Sequence, residues 1–459
     1  MRLLSPRLVR LALACTMALA AAVVSGHAQA MTKIQRVVSP GGLEAWLVQD
    51  ATVPLVAMAF AFRGGATQDP ADKPGVASMT ANLLDEGAGD LDSKAFHARL
   101  ERNAIEMNFS ASRDRLQGQL RMLNEHRDEA FGLLKLAVTA PRFDAEPVER
   151  IRAQMLSGLR RESTEPNALA GRAFWAAAFP DHPYGRPPGG TLESLPKVTV
   201  ADLSGYAKNV LARDNLTIAV VGDIDATTLG RLLDDTFGAL PAKAELTPVA
   251  DVAAVAPPKQ VSVALDVPQT VMLFGGPGLK RNDPDFMAAY IANHILGGGS
   301  MSSRLYYEVR EKKGLAYSVS QSLIWLDHSG VFAGSTATRA DRAAATLETL
   351  QAEIRRMAEQ GPTAEELDKA KSYLNGSQML ALDTSTKLAG ALVQYQLDGL
   401  GIDYLEKRPG IINAVTLEDA RRAAKRLWSH GLITVTVGRS QAAATGQPAP
   451  SPAPKSRVN

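Results

Sequence analysis

Apolar residues recur at helical spacing in the segment PGVASMTANLLDEG, residues 74–87. They would share one face of a helix: Val76, Met79, Leu83 and Leu84. Pro74 suits the first turn of such a helix, and Gly87 suits the position just past its end. The pattern therefore predicts a helix over 74–86 with one buried face.

The other positions of this predicted helix carry no reactive group. They are filled by a hydroxyl, a methyl group and a neutral amide, which belong to Ser78, Ala81 and Asn82. None of these groups binds a metal ion firmly or transfers a proton at neutral pH. The predicted helix thus has clear start and end signals but no reactive side chain at these three positions.

The same order of predicted elements occurs twice along the chain. In each half two strands precede a helix, two more strands follow it, and long helices come next. The first half has strands near 43–50, 55–64 and 105–122 and a long helical stretch over 146–178. The second has strands near 259–266, 269–275 and 316–336, and helices over 284–296 and 363–380.

Each half ends in a similar segment: VTVADLSGYAKNVLARDNLTIAVVG (198–222) and VTLEDARRAAKRLWSHGLITVTVG (415–438). In each, a threonine, Thr199 or Thr416, is placed to cap a helix that leads into a β-branched strand. Runs of strands followed by runs of helices predict an α+β protein. We expect two repeated homologous domains, each a mostly antiparallel sheet covered by helices on one face.

Composition sets the predicted boundaries. Basic residues at the start, an apolar run up to Val24 and the small-residue site Ala28-Gln29-Ala30 predict a signal peptide over 1–30 and a periplasmic location. An N-terminal domain over 31–240 and a C-terminal domain over 259–440 are joined by a Pro- and Ala-rich linker, 241–258. Residues 441–459 are predicted to be a disordered tail.

The remaining composition narrows the classes of partner. The only cysteine, Cys15, lies within the predicted signal peptide and in a poor lipoprotein site, so no disulfide is expected. The formal net charge of +2 gives no reason to expect nucleic acid or anionic lipid as a partner. No later apolar stretch approaches the length of a membrane span.

The most specific stretch is GGGSMSSRLYYEVREKKGLAYSV (297–319). Together with HPYGRPPGGTLESL (182–195), VVGDID (220–225) and the two-domain repeat, it resembles the pitrilysin/insulinase family of zinc peptidases, which includes the mitochondrial processing peptidases. The resemblance implies that two such domains form half of a clam-shell. It also implies that the pair R-x6-Y, here Arg310 and Tyr317, reaches the zinc site of a facing domain.

The chemistry of these two residues suits that role. The fork of donors on an arginine can hold peptide carbonyl groups, and a tyrosine hydroxyl can donate to the oxyanion formed when water attacks a carbonyl. The alternative interpretation is a solvated Arg310 and a half-buried core Tyr317.

In catalytic members of the family the first helix carries H-x-x-E-H, two zinc ligands and a base. Those positions fall on Ser78, Ala81 and Asn82 in this chain. A third ligand, a glutamate, would fall near Leu156–Ser157, where the chain has no carboxylate. The resemblance thus implies a degenerate zinc site in the N-terminal domain and no metal in this chain.

No other hydrolytic centre is evident. The chain has seven histidines, and no two lie one helical turn apart: His27, His97, His126, His182, His294, His328 and His430. No G-x-S-x-G motif is present, and paired carboxylates such as Asp234-Asp235 are typical of solvated helix faces. We therefore expect that the isolated chain is not a peptidase.

Two functions of different classes remain. The favoured one is the non-catalytic subunit of a periplasmic zinc-metallopeptidase heterodimer that degrades or processes unfolded peptides. Its partner would be a homologous subunit with H-x-x-E-H that holds the zinc, and Arg310 and Tyr317 would act in that subunit's site. The alternative is a peptide-binding or scaffold protein of the cell envelope, and a peptidase with unusual ligands is the least favoured.

Overall fold

The computed structural model describes residues 33–255 and 258–439. The predicted signal peptide and the whole of the predicted tail lie outside these described residues. Among the described residues, no helix is long and apolar enough to cross a membrane.

The first half contains strands β1–β8 and helices α1–α7. The strands are β1 Ile34–Val38, β2 Glu44–Gln49, β3 Leu55–Arg63, β4 Gly87–Ala88, β5 Leu91–Asp92, β6 Glu106–Ala111, β7 Arg115–Leu123 and β8 Leu216–Gly222. The helices are α1 Val76–Ala81, α2 Ser93–Arg102, α3 Arg127–Thr139, α4 Ala145–Glu162, α5 Pro166–Ala178, α6 Val200–Val210 and α7 Ala226–Phe237.

The second half contains strands β9–β13 and helices α8–α15. The strands are β9 Lys259–Ala264, β10 Gln269–Pro277, β11 Ala316–Trp325, β12 Gly330–Arg339 and β13 Ile433–Gly438. The helices are α8 Phe286–Asn293, α9 Arg304–Tyr306, α10 Ala343–Gln360, α11 Ala364–Gly376, α12 Gln378–Ala381, α13 Ser385–Leu397, α14 Tyr404–Ala414 and α15 Leu417–Trp428.

The two main sheets share one topology. The first has the order β1-β2-β8-β3-β7-β6, and the second, read in the same direction, has β9-β13-β10-β12-β11. In each sheet one pair is parallel, β2 with β8 and β9 with β13, and the other neighbours are antiparallel. Apart from the added edge strand β1, the second sheet repeats the first. The predicted α+β class with two repeated domains is confirmed.

The repeated helix before the last strand forms as its sequence predicts. Thr199 and Asp202 make a reciprocal capping box at the start of α6, and Thr416 and Asp419 make the same box at the start of α15. Each box satisfies backbone N–H groups that a first helical turn leaves without partners. The helices then bury one apolar face in the core of their own half.

One helix of each half packs on the sheet of the other half. Helix α5 buries Ala170 and Phe174 against the second sheet, beside Val271 and Val435. Helix α13 buries Leu392 against the first sheet in the same way. Each sheet is therefore covered on one face by helices of its own half and on the other by a helix of its neighbour.

A polar contact also joins the halves at the turn between β11 and β12. The Asp327 carboxylate accepts hydrogen bonds from Arg63 (2.7 Å) and Arg115 (2.9 Å) of the first sheet. Nearby, the Tyr184 hydroxyl donates to Asp114 at 2.7 Å and accepts from the backbone N–H of His328 at 3.0 Å. Together with the exchanged helices, these contacts fix the two halves to each other.

Two helices predicted in the first half have different bounds in the structure. The expected helix over 146–178 is divided into α4 and α5, because Glu165 caps a new helix that has Pro166 in its first turn. The helix expected over 74–86 is only Val76–Ala81, since the chain tightens into turns in which the N–H of Leu83 donates to Thr80. Its four apolar residues are buried, as predicted.

Candidate functional site

Helix α1 is held by a buried carboxylate at its start. The Asp69 carboxylate accepts hydrogen bonds from the backbone N–H groups of Gly75 (2.7 Å) and Ala77 (2.8 Å). Gly75 takes the left-handed conformation (φ 106°), which favours glycine. Burial raises the pKa of Asp69 to about 7.

The three positions at which the resemblance places the zinc motif make ordinary structural contacts. The Ser78 hydroxyl donates to the backbone oxygen of Pro188 at 2.8 Å. Ala81 is only 1 % exposed. The side-chain amide of Asn82 lies 3.9 Å from the Met155 sulfur. None of these groups is an anionic or imidazole ligand, so the residues present do not fit a zinc ion.

The facing helix, α4, supplies no ligand either. The residue opposite Asn82 is Met155, one position before the predicted place at Leu156–Ser157, and its thioether is only a weak acceptor. The nearest carboxylates along α4 are Glu149, which pairs with Arg152, and Glu162 near Arg172. Among residues 33–255 and 258–439, no group of three or more His, Cys, Asp or Glu is arranged to hold a metal ion.

The structure brings the predicted pair, Arg310 and Tyr317, together. Arg310 lies in the wide helical turns that follow α9, and Tyr317 is near the start of β11. Between them, Gly314 takes a left-handed conformation (φ 58°) that ends the helical turns. The guanidinium carbon of Arg310 lies 4.5 Å from the ring centroid of Tyr317, within the range of a cation–π contact.

A residue that sequence reasoning missed completes this cluster. The hydroxyl of Tyr306 accepts a hydrogen bond from Arg310, and its ring centroid lies 5.0 Å from the guanidinium carbon. Tyr306 is 7 % exposed whereas Tyr317 is 80 % exposed. Tyr317 is thus not the half-buried core residue of the alternative interpretation. The sequence signal was available, since Tyr306 precedes Arg310 by one helical turn.

A cleft of about 540 Å³ opens beside α1. It lies between α4, α5 and the loop 185–190, and both Pro188 and Met155 are in its lining. The guanidinium carbon of Arg113 lies 3.6 Å from the ring centroid of Trp175 in this cleft. Burial lowers the pKa of Arg113 to about 10, so this arginine is still charged at neutral pH.

Comparison with known families agrees with this geometry. The family model described as insulinase (peptidase family M16) matches residues 45–191, and the model described as peptidase M16 inactive domain matches residues 197–374. A protein named non-peptidase homolog YmxG, from Helicobacter pylori, is 27 % identical over 371 residues, covering 80 % of this chain and 85 % of that protein. The Bacillus subtilis protein named uncharacterized zinc protease YmxG is 23 % identical, covering 89 % of this chain and 98 % of that protein.

Solved structures share the whole architecture. The structure titled peptidase M16 inactive domain from Pseudomonas fluorescens has a TM-score of 0.84 and 28 % identity, covering 89 % of this chain and 98 % of that chain. A protease from Helicobacter pylori has a TM-score of 0.81 at 20 % identity, with 89 % and 99 % covered, which shows the fold alone.

Proposed function

The chain belongs to the insulinase (M16) family as an inactive homologue, and from this premise we propose that it is the non-catalytic subunit of a zinc-metallopeptidase heterodimer. Its partner is a homologous chain that carries H-x-x-E-H and the zinc. Arg310 and Tyr317 act on peptides in the partner's site. The observation that carries the proposal is the exposed pair: Tyr317 projects into solvent while its ring is fixed against the guanidinium of Arg310.

The two residues have distinct tasks in this proposal. Arg310 is oriented by its hydrogen bond to Tyr306 and keeps further N–H donors for the carbonyl oxygens of a bound peptide. The Tyr317 hydroxyl donates to the oxygen that becomes negatively charged when the peptide carbonyl is attacked. A scaffold protein would have no use for such an ordered donor at its surface.

The contacts at the degenerate zinc helix support the proposal that the partner, and not this chain, holds the zinc. Ser78 is engaged with the backbone of Pro188 and Ala81 is packed in the core, so this half contributes shape but no metal chemistry. We place the heterodimer in the periplasm, because the first thirty residues have the pattern of a secretory signal peptide. Its substrates would be unfolded peptides.

Tyr317→Phe is the direct test, because it removes one hydroxyl and nothing else. The partner would be the H-x-x-E-H homologue that co-purifies with this chain, and each variant would be mixed with it and checked by gel filtration. Losing one oxyanion donor lowers turnover by on the order of 100- to 1,000-fold. We expect that fall in kcat with little change in KM, because the hydroxyl acts mainly in the transition state.

Tyr307→Phe is the matched control. Tyr307 is also exposed, at 58 %, and lies in the same helical turns, but among the described residues the cation–π and tyrosine hydrogen-bond contacts of Arg310 are made by Tyr306 and Tyr317. Its loss should leave turnover unchanged. Arg310→Ala should raise KM as well as lower kcat, since its donors hold the ground state too. A Tyr317→Phe complex that assembles and cleaves at the parental rate would refute the proposed role.

A further inference from the structure

The cleft beside the degenerate zinc helix has features that the proposed function does not use. It adjoins that helix directly, since Pro188 accepts from Ser78 and Met155 faces Asn82. Its volume of about 540 Å³ falls within the range of about 300–1,000 Å³ that is common for ligand sites. The charged side chains that line it are mainly positive.

Three arginines and a single carboxylate line the cleft: Arg113, Arg172, Arg186 and Glu162. Glu162 lies 3.7 Å from Arg172, and the two side chains are 54 % and 36 % exposed, respectively. Arg186 gives one donor to the backbone oxygen of Asp69 at 3.0 Å. The cleft therefore holds an excess of positive charge.

Arg113 is the most informative of these residues. Its guanidinium is stacked on the Trp175 ring, and its Nε donates to the backbone oxygen of Tyr184 at 3.0 Å. The neighbouring carboxylate, Asp114, does not pair with it: that group accepts from the Tyr184 hydroxyl and from the backbone N–H of Asp327. Within the described part of the chain, no carboxylate lies within ion-pair distance of Arg113.

The carboxylate that influences this largely buried guanidinium, Asp114, acts on it through space and forms no ion pair with it. Such an arrangement is unusual, because desolvating a charge without a direct partner is costly. The stacking and the bond through Nε leave the two terminal nitrogens of Arg113 as donors. Two parallel N–H donors match the two oxygens of a carboxylate. The arrangement is therefore suited to an anionic group with this shape.

The rest of the lining is apolar. Met155, Leu159, Trp175, Pro187 and Pro188 surround the arginines. A free inorganic anion would leave these surfaces without a contact, whereas a peptide end that carries an apolar side chain would cover them. The cleft thus offers a place for a charged group and a place for an apolar group side by side.

We propose that this cleft binds the carboxylate of a peptide through Arg113 and Arg186, with an apolar side chain of the same peptide against Trp175 and Met155. The free C-terminus of a peptide is the source that this combination favours, and an acidic side chain has the same chemistry. Binding is a property of this chain alone. Its use, to hold a peptide end while the partner cleaves elsewhere along the peptide, rests on the proposed function.

The test measures binding to the isolated full chain, without the partner, by fluorescence anisotropy. Three fluorescein-labelled peptides are compared: AAAAF with a free carboxylate, AAAAF with a C-terminal amide, and AAAEF with a C-terminal amide. Loss of a charge-assisted pair should weaken binding of the first amide by on the order of 10- to 100-fold. If the glutamate peptide regains this affinity, the carboxylate is confirmed as the recognised group and a side chain is an accepted source.

Arg113→Gln and Arg186→Gln should each weaken binding of the free-carboxylate peptide by about tenfold or more and leave the amide almost unchanged. Because Arg113 also contacts Tyr184 and Trp175, the Arg186→Gln variant keeps the test valid if Arg113→Gln misfolds. Arg160→Gln is the matched control, because Arg160 is an exposed arginine of α4 that does not line the cleft. Equal affinity for the acid and the amide, no binding of any peptide, or parental binding by folded Arg186→Gln would each overturn the proposal.

Discussion

One helix of each half packs on the sheet of the other half. A substitution in such a helix should therefore destabilise the sheet of the other half, which would not be expected of two separate domains. Phe174 belongs to the first half by sequence, but its ring is fully buried against the second sheet. It fills the space above Gly275 of β10, where an added Cβ would come within 2.7 Å of the ring. Phe174→Ala should therefore loosen the second sheet more than the first.

The size of the effect follows from the burial. Replacing a fully buried phenylalanine by alanine costs about 3–5 kcal/mol, the lost transfer free energy plus the cavity. If the second sheet opens locally, a loss of 3 kcal/mol lowers the hydrogen-exchange protection of its amides by on the order of 100-fold. We expect this fall in β10 and β13, with a much smaller change in β3 and β7.

Leu392→Ala is the reciprocal change, since Leu392 lies in the second half and is fully buried against the first sheet. It costs about 2–5 kcal/mol, and the protection should fall in β3 and β8. Phe131→Ala, in a core residue of the first half, is the control that should loosen its own half. Hydrogen exchange with mass spectrometry distinguishes the strands. If Phe174→Ala loosens the first sheet and spares the second, the exchange of helices is wrong.

Two further predictions concern α1. The triple variant with Ser78→His, Ala81→Glu and Asn82→His should still release zinc on dialysis, because a catalytic zinc site needs three protein ligands and the residue opposite Asn82 is Met155. Adding Met155→Glu should raise the affinity for zinc. Tight zinc binding by the triple variant would contradict this prediction. Burial raises the pKa of Asp69 from 3.8 to about 7, so its contribution to stability is full below about pH 4 and is lost as the pH rises through 7. The urea-unfolding free energy of the parent relative to Asp69→Asn should fall over that range, and a constant difference would contradict the assignment.

Much of the fold could be predicted because its signals are local. The period of the apolar residues placed α1 and its buried face, and the threonine before each repeated helix gave the capping boxes at Thr199 and Thr416. The motif around Arg310 and Tyr317 also depends on nearby residues: a helix, a glycine stop and a strand start. Short-range geometry is sufficient to bring those two side chains together.

The exchange of helices was not predicted, because it depends on contacts between distant parts of the chain. One signal was available. Strand β3, LVAMAFAFR, is apolar at successive positions, whereas β7 alternates between buried and exposed residues. A continuous apolar run is typical of a strand covered on both faces. It indicated a second layer on the first sheet, but not that α13 supplies it.

The cleft and the polar contact between the halves were not predicted for the same reason: both depend on residues that are distant in sequence. Arg113 and Trp175 are far apart in sequence, and neither belongs to a motif. The bonds of Asp327 to Arg63 and Arg115 join residues of different halves. No periodicity or spacing predicts such pairs, because they depend on how the sheets are placed relative to each other.

Helix α1 keeps a buried apolar face and a fixed start although it carries no metal ligand. Helix α1 is one wall of the first core: its apolar residues are buried, and its start is fixed by Asp69. These constraints act on the buried face and on the capping groups. The positions of the zinc motif lie outside them, except for Ala81, which is buried. Ser78 and Asn82 now contact Pro188 and Met155, the residues that line the arginine-rich cleft. The fold therefore needs the helix itself, while Ser78 and Asn82 are free to contact the lining of the neighbouring cleft.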